Sequence, residues 1–299
     1  MSQPRIAVFA RSANGNVRPT RIIEGQSTKL GRTVHGIAYD SVHDEIVVPN
    51  PLAAAILVFR GAASGSEEPI RIIQGARTCL ALPHSASFDV THDEIFVGDL
   101  SSDSVLVFPR SANGDVPPLR KLQGPKTRLG HVVGIDVDPA TDLLSVANSD
   151  EILIFNRTDT GDVAPRSIIR GPKTGIGDEP WQLQVHDGKI YVAASNHLHR
   201  WVYAPGQTRP GAEWTEVPSD PWDDPTPGFV GVWSIRDNGD KPPLAVIKGP
   251  KSGLMHPSGL ALNVRDGEII TSDSVPNDVK TFHVPELFNK SRKRPKKSP

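Results

Sequence analysis

A single cysteine, Cys79, in 299 residues leaves no intramolecular disulfide and no cysteine-built zinc cluster to consider, and it suits a reducing compartment. Long apolar runs are missing as well: the stretch Leu52 to Phe59 is eight residues, against the ~20 that a bilayer-spanning helix needs. No basic start with an apolar core precedes the first patterned segment, so a soluble, cytoplasmic chain without a signal peptide is expected. Charge of one sign is not in excess. The 33 Lys and Arg meet 34 Asp and Glu, a net −1, which excludes the strongly basic footprint of a specific nucleic-acid binder. Nucleophile elbows, phosphate-binding glycine loops and HExxH zinc motifs are all absent. Aromatic residues are few, at 6%, and all five tryptophans fall between Trp181 and Trp233. Turn formers are abundant instead, 26 glycines and 28 prolines, beside enough apolar residues (37%) to bury a core. Many turns in a globular chain imply many short strands.

Those turn residues recur at fixed intervals, the mark of a repeat architecture. Arg11-Ser12-Ala13-Asn14-Gly15 returns unchanged as Arg110-Ser111-Ala112-Asn113-Gly114, and looser copies end at Gly65, Gly161 and Gly239. Four residues after each of these glycines stands a proline: Pro19, Pro69, Pro118, Pro165 and Pro243. Six further on comes a second glycine (Gly25, Gly75, Gly124, Gly171, Gly249), and three beyond it a hydroxyl (Thr28, Thr78, Thr127, Thr174, Ser252). Proline spacings of 50, 49, 47 and 78 set one unit at about 49 residues, with about 30 inserted in one copy.

Within a unit, apolar residues alternate with period two, as in half-buried strands. Ile37 and Tyr39, Ile46 and Val48, Ile56 to Phe59, and Ile70 to Ile73 give four strands, lettered a to d from the axis outward. Four short antiparallel strands in about 40–50 residues make a β-propeller blade. Along the chain strand a occurs five times, b five, c six and d five, and both ends lie in strand c. The expected architecture is all-β: a β-propeller of five four-stranded blades closed by the N-terminal strands. In it Thr20 to Glu24 supply strand d of the last blade. Six blades follow instead if the insertion hides a degenerate a/b pair. The propeller is expected to be one domain over residues 1–288, with the insertion at about 196–227 and a basic, disordered tail at 289–299.

The strands Gly36 to Asp40, Glu45 to Asn50 and Ile56 to Phe59 resemble NHL-type propeller repeats, similar to those of lactonase-like and streptogramin-lyase-like propellers. The resemblance covers residues 5 to 284 and implies fold only, because the matching positions are the ones that build blades. Such families include scaffolds, ligand binders, lactonases and a ring-opening lyase. None of their catalytic motifs matches here residue by residue.

Three groups of residues carry the chemistry. Asn50, Asp99, Asn148 and Asp273 occupy the same strand-b end in four blades. They could ring a cation, as in lactonase-like propellers. A feature repeated around a ring reads first as a building rule, with side chains bonding the backbone of a turn. His35, His84, His131 and His256 precede strand a, where the loop faces one mouth of the axial channel, and are the candidate bases or metal ligands. His43 and His92 read as solvated residues of the a–b turns. The insertion brings Trp201, Tyr203, Trp214, Trp222, Asp223 and Asp224, beside Trp181 at the start of a strand a. Aromatics next to carboxylates suit a sugar or an aromatic ligand, and the plainer alternative is a satellite core. The tail holds Lys290, Arg292, Lys293, Arg294, Lys296 and Lys297, and without it 27 basic residues face 34 acidic ones. Such a run suits a polyanion or, more simply, solvent. The expected function is binding of a small molecule or a protein partner at the channel mouth and insertion face, without cofactor, specific nucleic acid or membrane span. The alternative is a lyase or hydrolase that uses the mouth histidines as base or as ligands of a divalent metal.

Overall fold

Each period-two segment becomes one antiparallel strand. The computed structural model describes residues 4–32, 34–176, 179–195 and 228–288, and 21 strands follow in chain order within them. β1 (Arg5–Val8) and β2 (Arg21–Glu24) form a hairpin. Blade one is β3 (Ala38–Asp40), β4 (Glu45–Asn50), β5 (Ala55–Arg60) and β6 (Arg71–Gln74). Blade two is β7 (Pro83–Asp89), β8 (Glu94–Asp99), β9 (Ser104–Pro109) and β10 (Arg120–Leu122). Blade three is β11 (Val132–Asp138), β12 (Leu143–Asn148), β13 (Glu151–Asn156) and β14 (Ser167–Ile169). Blade four is β15 (Glu179–His186), β16 (Lys189–Ser195), β17 (Phe229–Ser234) and β18 (Ala245–Ile247). Blade five is β19 (Pro257–Asn263), β20 (Glu268–Asp273) and β21 (Asp278–His283). The protein is a five-bladed, all-β propeller built on a four-strand plan. Four blades pair all of strands a to d, and the fifth pairs its own a, b and c. The strand census read from the sequence holds: five a, five b, six c and five d.

The repeated turn residues explain how blades are stitched together. Gly65, Gly114, Gly161 and Gly239 bridge in parallel to Ile23, Ile73, Leu122 and Ile169 on strand d of the preceding unit. Asn113 and Asn238 accept the N–H of Ile72 and Ile168 through Oδ1, both at 3.0 Å. The second glycine turns the chain inward. Gly75, Gly124 and Gly171 have φ of 135°, 136° and 130°, and a Cβ there would stand 2.4–2.6 Å from the carboxyl carbon of Asp115, Asp162 or Asp240. Those aspartates accept the backbone N–H of Arg77, Lys126 and Lys173, each at 2.7 Å. Three residues after the glycine, Thr78, Thr127 and Thr174 donate their hydroxyls back to its carbonyl at 2.6–2.7 Å. Glycine is required here because a side chain would displace the carboxylate that caps the turn.

Apolar clusters fill the joints between consecutive blades. Trp233, which replaces the strand-c phenylalanine, is fully buried in the joint between blades three and four. Near the outer rim, Glu94 holds Arg120 (2.6 Å) and, from the next blade, Arg157 (2.9 Å). Glu45 holds Arg71 (2.6 Å) and Arg110 (3.3 Å) in the same manner.

The ring closes differently in one detail. β2 pairs with β1 and not with β21, so Thr20 to Glu24 do not form strand d of blade five. The N-terminal strands stand at the closure as a hairpin of their own. It is bridged to blade one through Ile23 and Gly65, and tied to blade five by Arg11 on Asp266 (3.1 Å) and Glu268 (2.8 Å). The physical reason is local. β1 is the surplus strand c, and pairing it with the next strand along closes a far shorter loop than joining the two ends of the chain.

Candidate functional site at the channel mouth

In blades two to five strand a begins with a β-bulge, and the extra residue is His84, Val133, Trp181 or Ser258. A bulge re-aims a side chain out of the ladder. The four residues share one structural position and differ in chemistry from blade to blade.

His35 of blade one precedes Gly36 as His84 precedes Ser85, and the two imidazoles stack at 4.5 Å with planes 20° apart. His84 Nδ1 lies 2.8 Å from the Val133 carbonyl. A carbonyl can only accept, so Nδ1 carries the proton and Nε2 keeps its lone pair. Burial, helped by His35 and His131 and opposed by the hydrogen bond to Val133, lowers the His84 pKa to about 4, and burial lowers that of His35 too. His131 sits at φ 97°, a strained conformation for a residue with a Cβ, and its N–H donates to Asp103 Oδ1 at 3.1 Å. His35 and His84 therefore form one stacked pair on blades one and two, and His131 on blade three contributes to the lowered pKa of His84.

The fourth, His256, belongs with blade four. Trp181 is half-buried, meets the His256 ring edge-on at 5.2 Å, and donates its indole N–H to Ser195 Oγ at 3.0 Å. His256 Nδ1 lies 2.8 Å from Ser274 Oγ. The amide of Gln182 extends toward blade one, where a Cβ added to Gly36 would stand 3.3 Å from Gln182 Nε2 and 3.1 Å from the His84 carbonyl.

The strand-b ends follow a building rule. Asp99 accepts the N–H groups of Ala81 and Leu82 (2.8 and 2.9 Å), and Asp273 those of Met255 and His256 (2.7 and 2.9 Å). Asn148 accepts from Gly130 N–H (2.8 Å), while Asn50 donates to the Lys29 carbonyl (2.8 Å). All four clamp the loop that leads into strand a, and so fix where the mouth side chains start. Among the described residues, no group of three or more His, Cys, Asp or Glu is placed to hold a metal ion. His43 and His92 bond through Nδ1 to buried Asp40 and Asp89, each at 2.7 Å, within the a–b turns. Trp201, Tyr203, Trp214, Trp222, Asp223 and Asp224 lie outside the described residues.

Three residues at this site were not singled out from the sequence: Gln182, Ser274 and Asp136. Asp136 occupies the strand-a position held elsewhere by Ala38, Ser87, Gln184 and Ala261. A carboxylate in that row was the available signal. It accepts the Ser87 hydroxyl (2.5 Å) and the Val185 N–H of the next blade (2.6 Å). Gln184 likewise accepts Leu262 N–H of its own next blade at 2.9 Å. These side chains tie successive inner strands together. Burial pushes the Asp136 pKa up to about 6, against the hydrogen bonds from Ser87, Val185 and Val137.

No family model matches the chain, and no curated protein matches it. Among solved structures it is similar to Kuenenia stuttgartiensis hydrazine synthase, at 11% identity and a TM-score of 0.50, over 80% of this chain and 55% of that one. It is also similar to the WD40 β-propeller domain of Doa1, at 12% identity and a TM-score of 0.48, over 84% and 69% of the respective chains. This chain thus spans little more than half the length of the hydrazine synthase chain. At such identities the likeness is one of fold and brings no activity with it. No helix among the described residues is long and apolar enough to cross a membrane.

Proposed function

We propose that this propeller, whose repeat is of NHL type, binds a small ligand at the channel mouth, with the blade-four face and its insertion as the specific part of the site. One observation carries the reading. The bulged position that opens strand a holds His84, Val133, Trp181 and Ser258 in turn; Val133 packs into the core between blades three and four, whereas Trp181 is only half-buried, so the blade-four side differs from its neighbours where strand a begins. With His84 neutral near pH 7, the mouth offers an imidazole lone pair, an amide and an indole face, and no fixed charge on these groups. That set suits an uncharged ligand with a ring and hydroxyl or carbonyl groups, such as a sugar or a monocyclic aromatic. Saturation-transfer NMR with a panel of monosaccharides and monocyclic aromatics tests it, on the parent protein and on Trp181→Ala. Trp181→Ala is expected to weaken whichever probe binds by about 1–3 kcal/mol, the range for one large apolar side chain. Probes that bind both proteins equally, or none that binds the parent, would count against the reading.

A hydrolase is the second reading, and the Ser274–His256 contact is what favours it. A hydroxyl 2.8 Å from an imidazole nitrogen has the spacing of nucleophile and base. His84 is a poor base at neutral pH, because a group with a pKa of about 4 holds a proton weakly. Hydrolysis of p-nitrophenyl esters or lactones that survives Ser274→Ala unchanged would remove this reading.

A further inference from the structure

Five joints of the ring bring the same two positions into one apolar cluster: the second residue of strand c from one blade and the fifth from the next. Ile56 meets Phe108, Val105 meets Phe155, and Ile152 meets Trp233 in this way. Val230 meets Phe282 in the joint between blades four and five, and Ile6 of the hairpin meets Phe59 of blade one. The sixth joint, between blade five and the hairpin, should bring Val279 to Phe9. There Val279 is 63% exposed, whereas Ile56, Val105, Ile152 and Val230 are exposed by 1% or less. Phe9 is 46% exposed, whereas Phe59, Phe108, Phe155 and Trp233 are at 0%. What spans it is the ion pair of Arg11 with Asp266 and Glu268, one cation of the hairpin on two carboxylates of blade five.

We propose that this sixth joint closes in solution, the hairpin docking on the open face of blade five with Phe9 against Val279. The occupant of that face is thus the chain's own N-terminal hairpin. The charge complementarity at the rim argues for it, because the Arg11 contact repeats the way Arg110 and Arg157 reach Glu45 and Glu94 of the blade before them. Closure buries two large apolar side chains at positions that are both fully buried in the three joints among blades one to four, and at least partly buried in the other two. It also makes the circle continuous, removing the exposed flank that would otherwise invite another chain.

Thiol labelling of the full-length chain decides the matter. In a Cys79→Ser background, which removes the one native thiol, Val279→Cys, Phe9→Cys and Leu52→Cys are reacted separately with a maleimide. Leu52 is 70% exposed on blade one, away from the joint, and gives the rate of an open site. If the joint is closed about nine-tenths of the time, Cys at 279 and at 9 label about tenfold more slowly than Cys at 52. Adding Arg11→Ala is expected to raise both protected rates toward the control. Equal labelling at all three positions overturns the proposal. So does protection that disappears on dilution together with a dimer seen by light scattering, since a second copy would then be covering the face.

Discussion

Asp136→Asn should make this protein more stable at neutral pH and leave it nearly unchanged in acid. The Asp136 carboxyl has a pKa raised from 3.8 to about 6, chiefly by burial. The folded protein therefore holds that proton more tightly than the unfolded chain does. Its contribution to stability is full below pH 3.8 and is lost as pH rises through about 6. Two units at about 1.4 kcal/mol each make the loss about 3 kcal/mol at pH 7, and about half a kcal/mol at pH 4. An asparagine is nearly isosteric, can still accept Val185 N–H through Oδ1, and can donate to Ser87 Oγ, so the ties between inner strands survive. The cost of holding a buried charge disappears with the charge. Urea unfolding of parent and variant at both pH values measures the difference. An advantage of about 3 kcal/mol at pH 7 that shrinks to under about 1 kcal/mol at pH 4 is the expected result. A variant less stable than the parent at pH 7, or a difference equal at both pH values, refutes the assignment of a raised pKa to this residue.

Glu94→Ala takes away the carboxylate that pairs with Arg120 and one of the three that pair with Arg157, which keeps Asp142 and Asp89, and should cost about 3 kcal/mol by urea unfolding. A cost under about 1 kcal/mol would mean that water solvates the cluster. At the C-terminus, Phe288 stacks on Tyr191 at 5.5 Å, and the Leu287 carbonyl accepts the Tyr191 hydroxyl (3.0 Å) and Lys189 Nζ (2.6 Å). A chain ending at Phe288 should keep the parent's Tm, while one ending at Val284 should melt at least about 2–4 °C lower, the shift for ~1 kcal/mol in a domain of this size. Equal melting of the two truncations would show that this docking contributes nothing.

The sequence alone determined the blade and favoured five of them, because both rest on short-range physics, while the insertion left six open and the tertiary structure decided for five. Alternation fixes which face of each strand is buried. The Gly-x-x-Thr turn of Gly124 and Thr127 has to recur wherever a carboxylate from the next unit caps it, and the glycine at Gly114 has to recur wherever a blade is stitched to its predecessor. Those are building rules, and a rule that repeats can be counted. The tertiary structure decided the rest. Sequence could name the mouth histidines, but the His35–His84 stack and the Trp181–His256 contact depend on bulges and on which blades face each other. Nor could it show that the surroundings of Asp136 raise its pKa to about 6, or that Ser274 reaches His256. The pairing of β2 with β1 was equally hidden, since one surplus strand c fits either a local hairpin or the distant last blade by pattern alone. Patterning is set by neighbours along the chain, whereas burial, pKa and closure are set by residues that only folding brings together.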